Sequence, residues 1–197
     1  MKPVRIAAAV VGLSLLSACV APVGPVQVTR FHAPEFAATS RGTIAVEPAP
    51  GSEGNSLEWQ SYSLAVLRQL TLLGYREAPA GQGSQVAQLR VSRTLSDPAR
   101  RSGPVSVGVG GSTGSYGSGL GIGLGFNLGG GSGQQVQTEL GVMIRDRASM
   151  RSLWEGRASF SVDAKSPLAA TDLAAPKMAE ALFQGFPGQS GETIEVK

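Results

Sequence analysis

Residues 136–162 read VQTELGVMIRDRASMRSLWEGRASFSV, and their alternation decides the fold class. Val136, Thr138, Leu140, Val142 and Ile144 alternate with polar or small residues, and Trp154, Gly156, Ala158, Phe160 and Val162 do the same. A period of two puts one set of side chains on each face of a sheet, so both runs predict half-buried strands. The polar stretch 146–151 between them is short and hairpin-like, which pairs the strands antiparallel. Upstream, Ala87, Leu89 and Val91 alternate with Gln88, Arg90 and Ser92 and predict another strand of the same kind.

A helix precedes that strand. Asn55 with Glu58 three residues on has capping-box spacing, and the helix runs from there to Leu73 with Gly74 as the residue that ends it. At 100° per residue, Trp59, Tyr62, Val66, Leu70 and Leu73 fall within an arc of about 80°, a core-facing stripe. Leu57, Leu64, Leu67 and Leu72 line the other side, so a second cover is expected there, from this protein or from a partner. Residues 26–31 and 43–46 are short strand candidates. Arg41-Gly42 supplies a turn before the second, and Pro48-Ala49-Pro50-Gly51 ends it. Downstream, Thr171-Asp172 can cap a closing helix that holds Pro176 in its tolerated first turn, and Gly185 and Pro187 stop it. Leu173, Met178, Ala181 and Leu182 form its expected buried side, and residues 189–197 read as a polar tail.

The order is β-β-α-β-(Gly-rich insert)-β-β-α. This predicts an α+β fold in two layers, a mostly antiparallel sheet with two helices on one face. The chain of 197 residues is long enough for one such domain, expected over residues 29–188. Charged residues make up 16%, below the usual quarter, and glycine takes their place: 14 of the 27 glycines lie in residues 103–133.

Residues 1–18 have the order of a signal peptide. Lys2 and Arg5 precede an uncharged apolar run, residues 6–16. That run is too short to span a bilayer core, which needs about 20 residues. Leu16, Ser17, Ala18 and Cys19 follow directly. The four look like a bacterial lipobox, which implies diacylglyceryl transfer to the Cys19 sulfur, cleavage before it and acylation of the new amino group. Several acyl chains anchor a protein essentially for good. Residues 19–28 then read as a tether carrying Pro22 and Pro25. Val20 stands where an aspartate would have hinted at inner-membrane retention, so the outer membrane, facing the periplasm, is the expected address. Cleavage would leave the remaining 179 residues with a net charge of about +1, which with no clustered basic face gives no support to nucleic-acid binding. Arg100-Arg101 and Arg145, Arg147 and Arg151 are too few and too interspersed to change that.

The insert is not a phosphate loop. It holds no lysine, and no helix can follow through Gly129-Gly130-Gly131. Val105, Val107 and Val109, then Leu120, Ile122, Leu124, Phe126 and Leu128, form two period-2 segments around a Gly/Ser/Tyr turn. Two readings stand: a mobile low-complexity loop, or a glycine-faced β-ribbon that packs on the first helix, on membrane or on the strand edge of another envelope protein.

One histidine and one cysteine exclude a disulfide framework, a Cys/His zinc site and a histidine-based triad. His32 beside Phe31 and Pro34 reads as an edge histidine with no identifiable nucleophile as its mate. Glu139, Asp146, Glu155 and Asp163 lie on or near adjacent strands and allow a paired-carboxylate site, although charge there also simply alternates with core. Trp154 with Phe160, and Trp59 with Tyr62, read as core rather than as a ligand platform. No catalytic residue, cofactor or metal site is expected.

With these elements in place, the chain resembles a bacterial envelope lipoprotein family catalogued as domain of unknown function 4136. The residues that carry the resemblance are Leu73-Gly74-Tyr75-Arg76, Ala87-Gln88-Leu89-Arg90-Val91, and the hairpin from Ile144-Arg145-Asp146 to Leu153-Trp154-Glu155-Gly156-Arg157-Ala158. The closing stretch Ala181-Leu182-Phe183-Gln184-Gly185-Phe186-Pro187-Gly188 completes it. The resemblance implies a cell-envelope address and a mixed α/β fold, and it supplies no substrate, cofactor or catalytic residue. The expected function is a lipid-anchored, non-catalytic binding or assembly protein of the envelope. The alternative is a periplasmic carrier of an apolar ligand or lipid.

Overall fold

The computed structural model describes residues 24–38, 41–96 and 133–197. Cys19, its lipobox residues Leu16, Ser17 and Ala18, and nearly all of the glycine-rich insert lie outside the described residues. The elements are β1 (Val26–His32), a 3-10 turn (Pro34–Ala38), β2 (Thr43–Pro48), α1 (Leu57–Leu72), β3 (Arg76–Glu77) and β4 (Gln85–Ser96). After the insert come β5 (Gln135–Asp146), β6 (Ser152–Asp163), a second 3-10 turn (Pro167–Ala169), α2 (Thr171–Phe183) and β7 (Thr193–Val196).

The strands form one sheet in the order β3-β2-β4-β5-β6-β1-β7. The quoted stretch is the antiparallel pair β5/β6, in register from Gln135↔Asp163 to Ile144↔Trp154. β4 pairs antiparallel with β5 over twelve positions, Gln85↔Asp146 to Ser96↔Gln135. β2 runs parallel to β4, and parallel neighbours need a crossover, which α1 supplies. The two helices pack on each other and on one face of the sheet, so the fold is α+β in two layers, as expected.

The core lies between helices and sheet. Tyr62, Val66 and Leu70 of α1 and Met178 and Leu182 of α2 are fully buried in one cluster with Leu89, Leu140, Ile144, Trp154, Ala158 and Phe160 of the sheet. Gly156 has a packing reason: a Cβ there would stand 2.8 Å from Leu182 Cδ1 and overlap the Trp154 ring.

Four expectations need correction. The cap of α1 is Ser56, one residue after Asn55: its hydroxyl accepts from the Trp59 N–H at 3.1 Å, while Glu58 turns to Arg93 instead of closing a capping box. α2 begins at Thr171 with no side-chain cap, so Pro176 sits in the second turn, exposed, and the helix forgoes the bond to the Asp172 carbonyl. Leu173 is 45% exposed, because Ala174, Ala175, Met178, Ala181 and Leu182 form the buried stripe and leave it on the flank. The tail contributes β7: Thr193, Ile194, Glu195 and Val196 alternate as a strand and pair antiparallel with β1, with Ile194 and Val196 packed against the core. On the outer side of α1, Leu67 is half-buried, while Leu57, Leu64 and Leu72 stay 80%, 67% and 72% exposed among the described residues.

Candidate functional site

One end of the sheet gathers most of the features that set the molecule apart. β4 ends and β5 begins there, since Ser96 pairs with Gln135 and Gln135 with Asp163. Both ends of the insert therefore leave from this edge. β1 starts there too: Val26 pairs with Val196, and Gly24 lies against the carbonyl of Ser161. The segment from Cys19 and the two arms of the insert thus join the domain at the same end.

Arg93 organises this end. It occupies the helix-facing row of β4 (Ala87, Leu89, Val91, Arg93, Leu95), at the point where that row emerges from the core. Its Nη1 donates to Glu58 Oε1 at 3.0 Å and to Thr171 Oγ1 at 3.0 Å, and its Nη2 donates to the Ala169 carbonyl at 2.6 Å. One guanidinium thus ties the sheet to the first turn of each helix. Thr171 Oγ1 also donates to Glu58 Oε1, at 3.4 Å. Behind this cluster, burial pushes the Tyr62 phenol up to about 12, with Arg93 opposing and Glu58 adding to the shift. Leu57, Leu95 and Leu173 stand beside these groups, all exposed.

A buried arginine, Arg30 on β1, lies under the loop after α2. Its Nη2 donates to the Ala181 carbonyl at 3.4 Å, and its Nε meets no acceptor among the described residues. Burial lowers its pKa, with Glu192 pulling the other way. Gly188, at φ +80°, backs directly onto it, and a Cβ there would be 2.8 Å from Nη1.

The candidate carboxylates do not converge. Glu139 and Glu155 share the open face of the sheet, but Glu139 faces Ser159 across β6, four residues or about 13 Å along the strand from Glu155. Glu155 accepts from Arg157 at 2.7 Å. Asp146 is at the far end, in the β5–β6 turn, where hydrogen bonds from Ser149 hold its carboxyl below the usual range. Asp163 is at the insert end and accepts from the Lys165 N–H at 2.8 Å. His32 closes β1, its Nδ1 3.0 Å from the Ala33 carbonyl oxygen. Trp154, Phe160 and Tyr62 are core, and Trp59 packs at its edge with Nε1 donating to the Leu89 carbonyl at 3.4 Å. No group of three or more potential metal ligands occurs among the described residues.

A groove of about 490 Å³ lies between α1, α2 and β7, lined by Gln69, Lys177, Glu180, Phe183, Gln184 and Val196 among others. Between α1 and the sheet, Val66 and Leu70 are fully buried.

Sequence reading did not single out Arg93 or Arg30. The signal was present, since each stands in a core-facing alternation, Arg30 after Val26 and Val28 and Arg93 after Leu89 and Val91.

The chain is similar to several known proteins. An uncharacterized protein of Zymomonas mobilis subsp. mobilis is 31% identical over 215 residues, covering 88% of this chain and 80% of its own length. Among solved structures, a PDZ domain protein from Parabacteroides distasonis is similar with TM-score 0.50 and 14% identity, over 88% of this chain and 39% of that one. The PelC dodecamer from Paraburkholderia phytofirmans gives TM-score 0.46 and 12% identity, over 84% of this chain and 99% of that one. Residues 30–188 match the family described as domain of unknown function DUF4136, a span from Arg30 through the loop that covers it. The chain belongs to the DUF4136 family.

Proposed function

We propose that this protein is a lipid-anchored component of the bacterial cell envelope that works by binding or assembly rather than by catalysis. The observation that carries the reading is the order of elements at the N-terminus. A charged start, an apolar run and Leu16-Ser17-Ala18-Cys19 lead within seven residues to Val26, where β1 begins. An acylated Cys19 would hold the domain close to a bilayer, and Val20 after it favours the outer membrane, with the domain in the periplasm. The dispersal of Glu139, Asp146, Glu155 and Asp163 supports a non-catalytic role. A lipid-carrier role would need room between α1 and the sheet, where Val66 and Leu70 are fully buried, so it is the weaker alternative.

The test combines mass spectrometry of the N-terminal peptide with membrane fractionation. Acyl mass on Cys19, and release of Cys19→Ala from the outer-membrane fraction, are expected; an unmodified Cys19 peptide would refute the anchor. Crosslinking from membranes, with full-length protein beside a version lacking residues 103–133, then addresses the binding role. A specific partner shared or lost between the two supports it, and no partner in either argues against it.

A further inference from the structure

We infer that the end of the sheet carrying Leu57, Leu95 and Leu173 rests on the membrane, with these three side chains entering the lipid interface. The inference depends on the lipid anchor proposed above. Two independent features point to this surface.

The first is reach. Gly24 lies against the Ser161 carbonyl, and Cys19 is five residues before it. An extended chain spans at most 3.3–3.6 Å per residue, which confines an acylated Cys19 to about 18 Å from Gly24. From Ser161 to the insert end of β6 is only two more residues, about 7 Å. From Ser161 to the opposite end, at Ser152, is nine residues or about 30 Å, beyond that reach. The anchor therefore keeps the insert end near the bilayer and excludes an orientation in which the β5–β6 turn alone rests on it.

The second is what that end displays. Leu95 pairs with Val136, which pairs with Val162, one residue past Ser161, and it is 60% exposed. Leu57 adjoins Glu58 and Leu173 follows Thr171 by two residues, and Arg93 binds both Glu58 and Thr171. Three exposed leucines from three elements thus stand at the end where Arg93 joins the two helices, the end the anchor selects. Apolar side chains so placed gain by leaving water for the acyl-chain boundary.

Because Cys19 is the only cysteine and acylation would block it, a second cysteine gives a unique thiol. Full-length Leu57→Cys, Leu95→Cys and Leu173→Cys, and Ala148→Cys in the β5–β6 turn, would be labelled with an environment-sensitive dye. They would be reconstituted on phosphatidylethanolamine/phosphatidylglycerol vesicles with brominated acyl chains. Blue-shifted emission quenched by the brominated chains is expected at the three leucine positions and not at position 148. Equal quenching at 148, or none at the leucine positions, overturns the inference. So does blue-shifted emission there before lipid is added, which would place residues 97–132 over the leucines. Acyl mass on the N-terminal peptide, read in the same samples, tests the anchor separately. If it is absent, the quenching pattern alone still decides the surface.

Discussion

Arg93 Nη1 lies 3.0 Å from Glu58 Oε1, and the pair joins a strand to a helix 35 residues earlier in the chain. The side chains are 29% and 40% exposed, so the ion pair alone contributes little. What distinguishes Arg93 is that the same guanidinium also holds the Ala169 carbonyl and Thr171 Oγ1. Arg93→Ala should cost about 1–3 kcal/mol in urea unfolding, with Arg93→Lys recovering only part, since an ammonium cannot copy the planar fork.

Gly156 and Gly141 make a matched pair. Gly156→Ala forces a methyl group into Trp154 and Leu182 and should destabilise by about 1–3 kcal/mol, with altered tryptophan fluorescence. At Gly141 the added Cβ would meet only Arg90 Cβ, at 4.0 Å, so Gly141→Ala should be neutral or slightly stabilising. Equal losses at the two sites would contradict the packing described.

Two sides of one helix should respond differently. Val66→Ala and Leu70→Ala remove fully buried side chains and should cost about 1–5 kcal/mol each. Leu64→Ser and Leu72→Ser change exposed positions and should stay within about 0.5 kcal/mol of wild type. A large loss at Leu64 or Leu72 would show that residues 97–132 or a second copy cover that face.

The alkaline limb of stability should follow the buried phenols. Burial raises both Tyr62 and Tyr75 to about 12 from the ordinary 10. The folded state therefore keeps protons that the unfolded chain releases, so the contribution is complete below about pH 10 and is lost as pH rises towards 12. Tyr62→Phe should flatten that limb, and absorbance at 295 nm should show two late-titrating tyrosines.

On the acid side, Glu47 is the group to follow. Its partial burial favours the neutral acid, but the Gly81 N–H at 2.8 Å and Arg147 at 2.6 Å outweigh this and hold the carboxyl below its usual range. The contribution is present above the ordinary carboxylate pKa near 4.5 and is lost as pH falls below it. Glu47→Gln should make the stability curve shallower between about pH 5 and 3.

The β5/β6 hairpin and the buried stripe of α1 were legible because each is a local pattern longer than one period. β7 was not: its four residues acquire meaning only through Val26–Thr29, more than 160 positions earlier. The parallel setting of β2 beside β4 is likewise invisible in a six-residue run. The Arg93 cluster was missed because its partners Glu58, Ala169 and Thr171 come from distant segments, and only the alternation that turned Arg93 inward hinted at it.

The position of β1 also has a mechanical consequence. It lies between β6 and β7, antiparallel to both, and the segment from Cys19 enters at its first residue. A pull on that segment loads β1 lengthwise, in shear, against two hydrogen-bond ladders together instead of peeling pairs off one after another. One of those ladders is made by β7, more than 160 residues further along the chain, so β1 gains its full grip only after Val196 has arrived.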